Sequence, residues 1–288
     1  IVFAVDNDKA FELGAILQYI DTAVSTKEFD GLVDRAYQVC EKVLQLPVPT
    51  VSAIGGSWLG PSFSFALACT ARVMQDSKTS AVGFPEGMFA MFPGMGGTQL
   101  LPRLIGYPAF DMIVKGKLLT AANGHELGLV DRVIPMEKDL VSEAMDFVRQ
   151  IASDPSILSR PTFDFADVDE QAEKSRQAAV KAYRGRKIPG LMLAIDALQK
   201  GLKQPLKEAL SLEKDGWTNN GFETVATDTF SKLGSDKVLS LYNASVEYEI
   251  APIEGLGLTA GYGHTWQNRS EQHDNDFRIN AGVYYDIF

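Results

Sequence analysis

Glu86 lies in the run GFPEGMFAMFPGMGGTQLLPRLIG, residues 83–106, with Phe84, Pro85, Met88 and Phe89 around it. A carboxyl among apolar neighbours loses hydration, its pKa rises, and it can take and return a proton near neutral pH. The plainer reading is a rim glutamate leaning on apolar side chains, so Glu86 needs company to count as catalytic. Pro93, Gly94, Gly96 and Gly97 follow it and force a tight turn with exposed backbone, and Thr98 can cap the helix beyond. The amides of such a turn can face an anion or a carbonyl oxygen, or the turn can be purely structural. Its GxGG spacing, with no acid at the expected distance, does not match a dinucleotide fingerprint.

A second stretch, WLGPSFSFALAC at 58–69, reads as a buried helix with an unusual first turn. Pro61 suits the first helical position, and Phe63, Phe65, Ala66 and Cys69 can bury the helix. Other chemistry is scarce. His125, His264 and His273 are scattered, and Cys40 and Cys69 sit in no CxxC or zinc-ligand spacing, so no metal site is expected. The basic run with Lys181, Arg184, Arg186 and Lys187, and then Lys200, Lys203 and Lys207, could meet phosphates or could line solvated helix ends.

These residues need elements to hold them. Residues 1–54 read as strand, polar turn, two helices and a Pro-bracketed strand, with Val33, Ala36, Tyr37, Cys40, Val43 and Leu44 on one helical face. Short strands such as ARVM then alternate with helices and Gly-rich turns up to GLVDRVIP, which makes an α/β layer arrangement. SDPSILSRPTFDFADVDEQ, 153–171, reads as a connector, and three helices follow it, the last around LKEALSLEKDGW. From Gly234 the pattern changes to period 2 in VLSLYNASVEYEI, LGLTAGYGHTW and FRINAGVYYDIF, an antiparallel β-meander. Residues 1–160, 161–233 and 234–288 are the expected divisions.

Composition limits the partners. A net charge of −10 over 288 residues argues against a general nucleic-acid binder. No apolar run reaches the roughly 18 residues of a membrane helix. The chain opens on IVFAV without a basic n-region or cleavage site, which predicts no signal peptide, and two unpaired cysteines suit a reducing, cytoplasmic setting.

FPEGMFAMFPGMGGTQLLPRLIG, with LPVPTVSAIGG, LGPSFSFALAC and ANGHELGLVDRVIP, resembles the crotonase (enoyl-CoA hydratase/isomerase) family in order and spacing over residues 1–233. The later helices resemble the helical part of hydratase modules in multifunctional fatty-acid-oxidation enzymes, and the abrupt start reads as a chain lacking the family's opening strands. The resemblance implies a spiral of ββα units, a C-terminal helical trimerisation region, and a homotrimer or dimer of trimers. It also implies an acyl-CoA thioester as substrate, with coenzyme A as part of that substrate and no other cofactor.

By the same resemblance, two backbone amides form an oxyanion hole for the thioester enolate. One falls on Asn7 beside Asp8, where Asp6 replaces the family's glycine. The other falls in Leu59, Gly60, Pro61 and Ser62, with the donor position on Pro61, which has no N–H. The Ser62 amide can take over if Pro61 opens the helix. Of the two hydratase glutamates, one matches Glu86 and the other falls on Ser64, which can hydrogen-bond a water but is no general base at neutral pH. Full hydratase activity is therefore not expected, whereas family isomerases work with one glutamate at the position of Glu86. The alternative is a non-catalytic crotonase-like protein kept for binding or assembly.

The tail, with seven acids, two arginines and no lysine from 238 to 288, resembles the last strands of a bacterial outer-membrane β-barrel. Three strands cannot close a barrel, so the expectations are a chimeric chain with some membrane contact of the tail, or a small sheet packed on the helical part or pairing between subunits.

Overall fold

A computed structural model describes residues 1–4, 29–89, 92–182 and 189–218, and the backbone of 245–249, 256–262 and 279–285. In chain order the elements are β1 (Val2–Ala4), α1 (Phe29–Leu44), β2 (Val51–Ile54), β3 (Trp58–Leu59), α2 (Pro61–Ala68), β4 (Ala71–Gln75) and β5 (Val82–Gly83). A 3-10 turn (Pro85–Phe89) leads to α3 (Gly97–Ile105), α4 (Pro108–Lys115), β6 (Leu118–Leu119), α5 (Ala121–Glu126), β7 (Arg132–Ile134) and α6 (Leu140–Ser153). The helices α7 (Val168–Ala182), α8 (Pro189–Gly201) and α9 (Leu206–Thr218) follow, then β8 (Ser245–Glu249), β9 (Leu256–Tyr262) and β10 (Ile279–Tyr285). The helix expected before residue 29 lies outside the described residues.

The main sheet is parallel, in the order β1-β2-β4-β7. Alternation along its strands separates two faces. Val51, Ala53, Ala71, Val73 and Ile134 point to α6, where Ala144, Phe147, Val148 and Ile151 cover them. Ile54 and Met74 point the other way, into the larger core with Phe63, Phe84, Leu101 and Phe110. All four residues of β2 are buried, as a parallel strand covered on both faces requires.

A small second sheet, β3-β5-β6, pairs β3 parallel with β5 and β5 antiparallel with β6. Helix α2 leaves its edge and is apolar on nearly every side, so six of its eight residues are buried and Pro61 and Phe65 are half-buried. Its C-terminal end is anchored by Arg72, 1% exposed, whose guanidinium donates to the Ala66, Cys69 and Leu129 carbonyls and pairs with Asp131 at 3.3 Å. Burial lowers the Arg72 pKa to about 10, and Asp131 works against that shift. Asp131 also holds Arg160 at 2.7 Å, which fixes the connector after α6 to the same point.

The α1 face matches its sequence pattern at Val33, Tyr37, Cys40 and Val43; Leu44, in the last turn, is 37% exposed because the chain turns away there. Val168, Ala172, Leu191 and Leu198 of the C-terminal helices share one core with Phe63 and Leu101, so the expected boundary at residue 160 divides the chain without dividing the core. The three tail strands pair antiparallel in the order β8-β9-β10, a meander. Among the described residues no helix is long and apolar enough to cross a membrane.

Candidate active site

Strand register brings the two sequence motifs to one edge. In the parallel pair β3/β5, Leu59 lies opposite Gly83, and the Gly60 N–H donates to the Gly83 carbonyl at 2.9 Å. Both strands end there. One chain turns into α2 at Pro61 and the other into the 3-10 turn that carries Glu86. Neighbouring strands run about 4.8 Å apart, so the first turn of α2 and the Glu86 turn begin side by side.

Gly60 makes the turn into α2 with φ 59° and ψ −127°, a combination open essentially to glycine. Pro61 is the first helical residue, as its fixed φ favours. The Ser62 amide, in the first turn, has no acceptor within the helix and lies at the positive end of its dipole. The Ser62 hydroxyl donates back to the Leu59 carbonyl at 2.7 Å. Ser64 is fully buried, and its hydroxyl donates to the Gly94 carbonyl at 2.8 Å. Ser64 therefore joins α2 to the glycine turn.

Glu86 is 6% exposed, and among the described residues its Oε2 has no hydrogen-bond partner. Burial pushes its pKa up to about 8; a backbone hydrogen bond opposes the rise and the nearby Glu213 charge adds to it. The arrangement is a proton-exchanging carboxyl with one oxygen uncommitted.

The glycine turn is built differently from expectation. Helix α3 starts at Gly97 with Gly96 as its N-cap, and the Thr98 hydroxyl does not cap it locally. Met95 and Gly96 both take positive φ, 55° and 89°, so the following amides point into one concavity. The anion in that concavity is the protein's own. Glu213 of α9 accepts from the Gly96 N–H at 2.6 Å, the Thr98 N–H at 2.8 Å and the Thr98 hydroxyl. The Tyr37 hydroxyl donates at 2.5 Å to Oε1, the oxygen that also accepts the Gly96 N–H. Burial raises the Glu213 pKa and its four donors oppose the rise.

Gly94 and Gly97 act by letting neighbours close in. A Cβ on Gly97 would lie 2.7 Å from Phe84, and one on Gly94 would lie 3.0 Å from Trp217. Trp217 stacks on Phe92 at 4.8 Å and closes this side of the core.

The structure thus brings Glu86, Gly60, Pro61, Ser62, Ser64, Gly94, Gly96 and Gly97 into one region. Asn7 and Asp8 lie outside the described residues, as do Arg184, Arg186 and Lys187. Lys203 pairs with Asp169 at 2.6 Å and Lys200 with Asp196 at 3.7 Å, within the C-terminal helices. His125 meets the Val130 carbonyl at 2.8 Å in its turn. Among the described residues no three His, Cys, Asp or Glu side chains group as a metal would require. Glu213 is the residue that sequence reading missed. Its signal was a charge on an apolar stripe, between Leu210 and Trp217 at helical spacing.

The model of the family described as Enoyl-CoA hydratase/isomerase matches residues 1–186. The chain belongs to that family, and the α/β architecture expected from the resemblance is the one observed. The fatty acid oxidation complex subunit alpha of Vibrio vulnificus (strain CMCP6) is 32% identical over 212 residues, covering 70% of this chain and 29% of that protein. The subunit of the same name from Aliivibrio fischeri is 34% identical over 212 residues, covering 71% and 30%. The chain therefore spans less than a third of the length of these curated relatives. Among solved structures, an enoyl-CoA hydratase from Bacillus anthracis is 28% identical with a TM-score of 0.40, covering 69% of this chain and 65% of its own. One from Geobacillus kaustophilus HTA426 is 24% identical with a TM-score of 0.46, covering 83% and 76%.

Proposed function

We propose that the chain is an acyl-CoA enzyme of the enoyl-CoA hydratase/isomerase type, working in fatty-acid oxidation through a stabilised thioester enolate. The observation that carries this reading is Glu86: buried, with Oε2 unpartnered among the described residues, beside the first turn of α2. The thioester oxygen is held by the Ser62 amide and, by family resemblance, by the amide of Asn7 beside Asp8. Glu86 takes a proton from the carbon next to the thioester carbonyl, and the charge passes to the oxygen that the amides face. Returning that proton two carbons further along completes a 3-to-2 enoyl shift.

Isomerisation is favoured over hydration because hydration needs a second group to hold and activate water. Ser64 stands in that place, with its proton committed to the Gly94 carbonyl. Coenzyme A is part of the substrate and no further cofactor is invoked. A homotrimer or dimer of trimers, a cytoplasmic location and the three-part division at 160 and 233 belong to the same reading.

A second reading, a crotonase-like binding or assembly protein without turnover, is favoured by Pro61 and Ser64 themselves. The two are separated by titrating acyl-CoA and assaying both hydration of crotonyl-CoA and the 3-to-2 shift, for the native chain and for Pro61→Gly with Ser64→Glu. Native enoyl-shift activity supports the first reading. Binding with turnover only in the double variant supports the second, and no CoA binding in either sinks the account of the site.

A further inference from the structure

Glu213 lies fully buried in α9, far along the chain from the motifs on which the proposed function rests. A helix start usually finds its cap in a neighbouring Ser, Thr, Asp or Asn. Here the Gly96 and Thr98 amides instead find a carboxylate 117 and 115 residues away. Each carboxyl oxygen accepts a backbone N–H, Oε1 from Gly96 and Oε2 from Thr98, and these obligate donors favour the ionised form against the burial that opposes it.

The surrounding contacts show what the carboxylate holds. On one face of α9, Leu210 lies against Gly96, Glu213 binds Gly96 and Thr98, and Trp217 lies against Gly94. The turn gripped in this way supplies the carbonyl of Gly94 that receives the Ser64 hydroxyl at 2.8 Å. It also supplies Gly97, which abuts Phe84, two residues before Glu86. Through the oxygen that accepts the Gly96 N–H, the carboxylate also reaches Tyr37 on α1. One buried anion therefore joins α1, α3 and α9 behind both ends of the candidate site.

We propose that Glu213 is a positioning residue of this site: bound as an internal anion by the 94–98 turn, it sets where Glu86 and the Ser64 hydroxyl stand. The titratable groups that face it are Tyr37 and Cys40 on α1 and Glu86 on the 3-10 turn. Glu213→Gln keeps the shape, removes the charge and turns an amide N–H₂ toward donors. Glu213→Asp keeps the charge but falls a methylene short of the turn.

The test uses the full chain with both variants and two readouts. One is carbon-13 NMR titration of the Glu86 carboxyl, assigned by its loss in Glu86→Gln; the other is kcat and KM on an enoyl-CoA substrate. Glu213→Gln is expected to lower the Glu86 titration midpoint, because a neighbouring negative charge is gone. Glu213→Asp should leave the midpoint closer to native, and both should lower kcat by about 10- to 100-fold with KM little changed, as misplacement does. A native midpoint in Glu213→Gln, or native kcat in both variants, overturns the proposal. If the native chain turns over neither substrate, the proposed function fails while the NMR titration still decides the role of Glu213. Should Glu213→Gln not fold, Tyr37→Phe removes one donor to the anion and keeps the shape; a shifted Glu86 midpoint with lowered kcat supports the proposal, and native values of both overturn it.

Discussion

Glu86 is an acid whose surroundings withhold solvation, and its behaviour with pH follows from that. Its pKa rises from 4.5 in the unfolded chain to about 8 in the fold, so the folded state keeps the proton that the unfolded state releases. Its contribution to stability is complete below pH 4.5 and is lost as pH rises through about 8. Urea unfolding at several pH values should show stability falling across that window, and Glu86→Gln should remove this part of the fall. Turnover needs the carboxylate, so kcat/KM of the enoyl shift should rise with pH to a plateau above about 8. Glu86→Gln should lower kcat about 10²- to 10⁴-fold with acyl-CoA binding retained, as titration calorimetry beside the assay can check. Ser64 makes a contrasting case. Its hydroxyl holds the Gly94 carbonyl, which also accepts the Gly97 N–H at 3.1 Å, so no orphan acceptor is left when it goes. Ser64→Ala should cost about 1 kcal/mol in urea unfolding and change enoyl-shift turnover little.

At the scale of elements, the site depends on short pieces ending at the same place. Strands β3 and β5 have two residues each, yet their parallel register sets the start of α2 beside the Glu86 turn. Helix α2 is fastened at its other end by Arg72, so its first turn has little freedom to move. Helix α3 approaches so closely that Phe84 fills the space a Cβ on Gly97 would need. Gly97→Ala should therefore push Phe84 and the turn after it, destabilising the fold by about 1–3 kcal/mol. Urea unfolding measures the first effect, and a fall in kcat the second.

At the scale of the molecule, the C-terminal helices complete the core of the α/β part. They supply Leu191, Leu198 and Trp217 to the shared core, and Arg103 of α3 donates to the Gly201 and Gln204 carbonyls. A chain ending at residue 188 should fail to unfold cooperatively, whereas one ending at residue 233 should keep the thermal midpoint of the whole. Calorimetry of the two shortened chains tests the division proposed at 233.

Much of this was legible in the residues because the signals are local. Helical spacing placed α1 and the C-terminal helices, and short apolar runs bounded by prolines or turns placed β2 and β4, since burial constrains residue types at short range. Pro61 announced the start of α2 because a fixed φ needs no tertiary support. Glu86 stood out among apolar neighbours for the same local reason. The glycine turn was legible as a turn, but what its amides bind was not: Glu213 arrives from a distant helix, where its place between Leu210 and Trp217 marks a charge on a buried face without naming its partner.

The sequence by itself determined the family, the α/β pattern and the residue types at the site, because periodicity, fixed dihedrals and motif spacing are properties of a few neighbouring residues. Only the tertiary structure decided that the Gly96 and Thr98 amides face Glu213, that the Ser64 hydroxyl is committed to Gly94, and that Glu86 is buried beside α2. The physical reason is that hydrogen-bond partners and the extent of desolvation are set by groups brought together in space, and a local pattern can mark a residue without naming the distant group it meets.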